Sequence, residues 1–133
     1  QGFPDFGWPP EVLAAGAEAI TTGYNQYPPM RGLPELRAAV ADFYARRQGL
    51  ALTPEQVIVT SGATEALAAS IMAVAGPGDE VILFAPAYDA YAPLVARAGA
   101  RPVWVQLQPP DWQASAEAIA AAITPATRAI LLN

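Results

Sequence analysis

Short apolar runs alternate with Ala-rich helical segments through the C-terminal part of this chain, and this limits its fold more than any other feature. VIVT (57–60), EVILFAP (80–86), RPVWVQL (101–107) and TRAILLN (127–133) are separated by ATEALAASIMAVA, YDAYAPLVARAG and SAEAIAAAI. The runs are largely continuous in apolar character, as expected of strands covered on both faces. Strands joined by helical crossovers lie parallel. The expectation is an α/β fold, a three-layer sandwich with a mostly parallel sheet and helices on both faces.

The N-terminal part reads differently. QGFPDFGWPP is rich in Gly, Pro and aromatic residues and reads as an irregular arm. Pro9 and Pro10 suit a helix start, where a missing N–H costs nothing, and EVLAAGAEAI carries that helix to about residue 20. The stretch 21–32 is a loop broken by Gly23, Pro28 and Pro29. Pro34 and Glu35 open a second helix, in which Leu36, Val40, Phe43 and Tyr44 recur at helical spacing before Gly49 ends it. LTPEQ reads as a capped turn, with Thr53 as N-cap and Gln56 at the capping-box position. The expected division is 1–48 as arm and interface helices, and 49–133 as the truncated first part of a larger domain.

At 133 residues the chain is long enough for a sizeable core, and 53% hydrophobic with 14% charged residues reads as globular rather than disordered. No apolar stretch reaches the roughly 18 residues of a membrane span, and no signal peptide is visible. A net charge of −5 with no arginine cluster beyond Arg46 and Arg47 argues against a nucleic-acid surface. Cys and His are both absent, which removes disulfides, thiolate metal sites and His-based triads. The composition fits a cytoplasmic protein. All seven basic residues are Arg, so the chain has no Lys. It opens on Gln1 and closes on the apolar AILLN, which suggests a segment of a longer chain.

VTSGATEA is the first stretch that carries chemistry. A strand ending in Ser61 and Gly62 and opening a helix points backbone N–H groups at one spot, where they and the helix dipole favour an anion such as a phosphate. Gly62 allows close backbone approach, and Ser61 and Thr64 add hydroxyl donors. Ordinary capping by Ser/Thr, with Glu65 compensating the dipole, explains the same residues. The pattern is neither a dinucleotide-binding glycine fingerprint nor a P-loop. A nucleotide-binding Rossmann domain also predicts an acid after the second strand, where this chain has LFAPAY.

APAYDAY follows that strand at its carboxyl end, where open α/β sheets bind ligands. Tyr88 there is placed to stack on a planar ring, an interaction of roughly 0.5–1.5 kcal/mol. Alternatively Tyr88 and Tyr91, three apart on a helix, cover the core. The loop YNQYPPMRG holds Tyr24 and Tyr27, which pack either on a partner subunit or back on their own domain.

Together these segments resemble the N-terminal portion of pyridoxal-phosphate-dependent aminotransferases of fold type I, class I/II, nearly from end to end. GFPDF resembles the family's substrate-side arm. YNQYPPMRGLPELR resembles its N-Q-Y-x-x-x-x-G-x-P-x-L-R segment, and VIVTSGATEAL its phosphate-binding turn. GDEVILFAPAYDAY resembles the strand bearing the ring-stacking aromatic, and RAILLN the strand before N-P-x-N-P-x-G, with Asn133 as the first Asn leading into it. QGFPDF paired with YDAY is most similar to the methionine/aromatic and kynurenine–glutamine subgroup. The resemblance implies that Ser61, Gly62, Ala63 and Thr64 hold the cofactor phosphate and that Tyr88 stacks on the pyridine ring. It further implies that Tyr27 crosses a homodimer interface to the partner's phosphate, and that a Gly2 backbone contact borders the substrate carboxylate.

The chain departs from the family in one respect: its members hold the cofactor as a Schiff base on a Lys, and none is present here. The expected activity is therefore that of a full-length aminotransferase exchanging an amino group between an L-amino acid and a 2-oxo acid. The segment by itself is expected to be inactive. The alternatives are another pyridoxal-phosphate protein of fold type I, such as a C–S lyase or a regulator's sensor domain, and a fragment without function.

Overall fold

The computed structural model describes residues 4–133, in two compact units, Gln1–Val59 and Thr60–Asn133. In the first unit, helix α1 (Pro10–Thr22) starts at the proline pair and runs two residues beyond the expected end. It buries none of its residues. Helix α2 (Pro34–Gln48) has Pro34 at its first position, Glu35 in its first turn, and Arg46 and Arg47 in its last, each favourable to the helix dipole. It buries only Ala41. The turn predicted at 53–56 forms as a 3-10 helix, Pro54–Gln56, and the Thr53 N–H donates to Gln56 Oε1 at 2.9 Å.

The strand expected at 57–60 does not form. A strand needs a hydrogen-bonding neighbour, and the segment makes one such bond, from the Val59 N–H to the Arg31 carbonyl at 3.1 Å. Val57 is buried, while Ile58 and Val59 are exposed.

The second unit contains the sheet. Helix α3 (Ala63–Val74) leads through a short Gly-Pro-Gly turn to β1 (Glu80–Ala85). Helix α4 (Tyr91–Arg97) connects β1 to β2 (Arg101–Gln106), and α5 (Ala116–Ala122) connects β2 to β3 (Thr127–Leu131). The strands lie in the order β2-β1-β3, all parallel. The α4 crossover steps from β1 to one edge and the α5 crossover steps back across β1 to the other. Right-handed crossovers that step in opposite directions place their helices on opposite faces, which gives the three layers expected.

The register explains the core. Val81 and Leu83 pair with Ala129 and Leu131 on one side, and all four share a cluster with Ile71 of α3, Ala75 just after it, and Val95 of α4. Val81, Ile82, Leu83 and Val95 are fully buried, and each contributes about 1.5–3 kcal/mol. At the amino end of the sheet the buried Glu80 carboxylate accepts from Arg101 and, at 2.8 Å, from the Thr124 hydroxyl. That network pins the two strand entrances together and leaves the carboxyl end free for a ligand.

Candidate cofactor site

Helix α3 precedes β1 by a short turn and packs antiparallel to it, so its N-terminus lies at the carboxyl end of the sheet. Leu67, one turn into α3, packs on the same cluster as Tyr91 at the start of α4. The fold therefore brings Ser61, Gly62, Ala63 and Thr64 to the end of the sheet that also carries Tyr88. Tyr27 belongs to the first unit, and Gly2 lies outside the described residues.

The 61–64 turn is solvent-exposed throughout. Gly62 is the N-cap of α3 with φ 84° and ψ 167°, backbone that is essentially restricted to glycine. A Cβ at Gly62 would meet nothing within 4 Å. Within the protein the residue is therefore required for its dihedrals, and the side of the backbone where a Cβ would stand is open. The first intrahelical bond of α3 runs from the Ala66 N–H to the Gly62 carbonyl. The N–H groups of Ala63 and Thr64 thus have no intrahelical acceptor and sit beside two hydroxyl side chains. That donor set fits a phosphate.

Two details of the turn were not visible in the sequence. The Ser61 N–H donates to the carboxylate of Glu65, so Glu65 braces the turn as well as complementing the dipole. The Thr60 hydroxyl donates to the Gly62 carbonyl at 2.9 Å. The four-residue spacing of Ser61 and Glu65 is the signal that could have revealed the first.

Tyr88 does not lie on a helix, as the sequence suggested, because α4 begins only at Tyr91. The turn at 89–90 separates the two rings' environments. Tyr91 is buried in the core, whereas Tyr88 is 50% exposed. Their rings meet edge to face, with centroids 5.6 Å apart and planes at 71°. Tyr88 borders an open depression of about 380 Å³ that is also lined by Asp89, Ala92, Trp104 and Gln106. An exposed ring past the carboxyl end of β1 and an anion-ready turn at the start of α3 fit a planar ligand that carries a phosphate. Among the described residues no group of His, Cys, Asp and Glu could hold a metal.

In the first unit, the loop after α1 is tied down by the Asn25 side chain, which donates to the Ile20 carbonyl at 2.7 Å. Tyr24 is mostly exposed and Tyr27 fully exposed, so neither packs into its own unit. Gly32 is the glycine that close approach demands. Its φ is 95°, and a Cβ there would lie 2.5 Å from Val59 Cγ2. Arg37 donates from Nε and Nη2 to the Pro54 carbonyl at 2.9 and 2.6 Å. Its Nε also reaches the Val57 carbonyl at 3.0 Å. Gly32 and Arg37 of the G-x-P-x-L-R segment thus meet the residues that lead into VTSGATEA.

The chain is similar in sequence and fold to known proteins. The chain is 47% identical to a probable N-succinyldiaminopimelate aminotransferase, DapC, of Mycobacterium tuberculosis, over 100% of this chain and 34% of that protein. It is 42% identical to the methionine aminotransferase of Escherichia coli, over 100% of this chain and 35% of the relative. A solved structure of aspartate aminotransferase from Thermus thermophilus with maleate superposes at a TM-score of 0.94 and 39% identity, over 99% of this chain and 35% of that one. The chain spans about a third of the length of the curated relatives it matches. A family profile described as aminotransferase class I and II matches residues 1–133, and the chain belongs to that family.

Proposed function

We propose that this chain is the N-terminal segment of a pyridoxal-phosphate-dependent aminotransferase that moves an amino group between an L-amino acid and a 2-oxo acid. The observation that supports it most is the 61–64 turn: backbone donors aimed outward from a glycine-specific N-cap, at the same sheet end as the exposed Tyr88. When bound, the cofactor supplies the conjugated ring that takes up electrons from the substrate's Cα. The Ala63 and Thr64 N–H groups and the Ser61 and Thr64 hydroxyls hold its phosphate. Tyr88 covers one face of its ring, which fixes the ring's tilt and keeps water off that face. Tyr27, fully exposed, reaches the cofactor phosphate of the partner subunit in a homodimer, and Gly2 borders the substrate carboxylate. Residues 1–48 serve as arm and interface helices, and 49–133 begin the cofactor-binding domain of a cytoplasmic enzyme.

The chain's basic residues are all Arg, so the amine that anchors the cofactor and moves the Cα proton is not among these 133 residues. The segment alone is accordingly inactive in this reading. The test is the full-length protein with pyridoxal phosphate, assayed for the visible band of bound cofactor and for amino transfer to a 2-oxo acid. Both are expected. A cofactor band with elimination at Cβ and no transfer assigns the protein to lyase chemistry, and no band at all sinks the proposal. Among the described residues no helix is long and apolar enough to cross a membrane.

A further inference from the structure

Tyr91 carries a hydroxyl where packing alone needs none. The residue is 7% exposed and sits in the cluster with Val81, Leu83 and Val95, a place a phenylalanine ring would fill equally well. A buried hydroxyl costs free energy unless it is hydrogen-bonded. This one donates to Asn133 Oδ1 at 2.6 Å, from the first position of α4 to the residues just past β3. The bond pins the long axis of the Tyr91 ring. The half-exposed Tyr88 packs against that ring edge to face, with centroids 5.6 Å apart. Tyr88 lies in the loop before α4 and draws no orientation from a helix.

We propose that Tyr91 is a positioning residue, anchored by Asn133, that sets the orientation in which Tyr88 presents its ring to the cofactor. The inference rests on the reading that Tyr88 stacks on pyridoxal phosphate. An edge-to-face pair constrains the tilt of both rings, and the Asn133 bond makes one member of the pair immobile. The arrangement makes the stacking angle depend on a residue that touches no ligand itself. It also links two segments far apart in sequence, YDAY and the end of the TRAILLN run.

The test uses the full-length protein loaded with pyridoxal phosphate, with Tyr91→Phe, Asn133→Ala, Tyr88→Ala and their combinations. The readouts are the induced circular dichroism of the bound cofactor, its dissociation constant, and the melting midpoint of the cofactor-free protein. Tyr91→Phe and Asn133→Ala should each change the dichroism in the same direction and weaken cofactor retention by about 2- to 10-fold, the worth of one ordinary hydrogen bond. The two together should do no more than either alone, because they remove the same bond. In a Tyr88→Ala background neither should have any further effect on the dichroism. A Tyr91→Phe protein with altered melting but unchanged dichroism and retention overturns the inference while leaving the stacking reading intact. The same holds if its effect persists undiminished without Tyr88. A Tyr88→Ala protein that retains cofactor as tightly as the unaltered one overturns the stacking reading and the inference with it.

Discussion

The two units of this chain hold their shape by different means. In Thr60–Asn133 a parallel sheet closes over fully buried aliphatic side chains, and the order comes from apolar burial. In Gln1–Val59 only Ala41 and Val57 are buried among the described residues, and Val12, Leu13 and Ile20 of α1 stand exposed. The order there comes from polar fixings: a proline start to each helix, the Thr53–Gln56 exchange, and one guanidinium gripping two carbonyls. A unit held by burial resists the loss of any one polar contact. A unit held by a few polar contacts does not.

Leu83→Ala gives the largest effect and the sharpest form of the contrast. The side chain is fully buried between both neighbouring strands and α4, so its loss costs about 2–5 kcal/mol. Leu13→Ala on exposed α1 should fall within about 0.5 kcal/mol of zero. Urea unfolding of the chain measures both, and comparable losses would remove the distinction between the units.

Arg37→Met comes next. It removes donors from the Pro54 and Val57 carbonyls, and hydrogen bonds to a charged group are worth about 1.5–3 kcal/mol. Amide hydrogen exchange should accelerate at Val59 by roughly 10- to 100-fold and stay unchanged at Leu83. Acceleration at Leu83 as well would show that the clamp supports the sheet too, and that the units do not open separately.

The smallest effect is one the units share. Glu55 in the first and Glu117 in the second are each held below the usual carboxylate value of 4.5. In each case a hydrogen bond from the residue's own backbone N–H acts first, followed by the hydroxyl of Thr53 or Ser115. A lowered folded-state pKa contributes stability that is complete above 4.5 and is lost as pH falls through the folded value. Carboxyl NMR titration should place both midpoints below 4.5, and Ser115→Ala should return Glu117 towards it while leaving Glu55 alone. A shift of both together would contradict a purely local cause.

The same contrast explains what was legible in the sequence. Strands 80–86, 101–107 and 127–133 could be read because burial on both faces leaves a continuous apolar run. VIVT has that composition too, yet its one backbone bond to a distant segment is to Arg31 in an irregular loop, and composition says nothing about a missing ladder neighbour. The helix start was misplaced at Tyr88 because Asp89, the residue of APAYDAYAPL suited to an N-cap, is not the cap, which is Ala90. The anion-binding turn was legible because backbone geometry makes it and Gly62 betrays that geometry. The Arg37 clamp, the Glu65 brace and the Tyr91–Asn133 bond were not, since each joins residues whose meeting depends on packing. Gly32 and Gly62 show the same limit. Both have a positive φ, but only the structure tells that Gly32 also needs room, against Val59.

The strand order β2-β1-β3 carries a consequence for how the sheet is assembled. β1 is central, and its second neighbour lies about fifty residues further along the chain, a separation that slows closure because the intervening loop must first lose its freedom. During synthesis β1 and β2 can pair early, but the far side of Ile82 and Leu83 stays open until Ile130 and Leu131 emerge. The central strand is thus the first of the three to be made and the last to be complete.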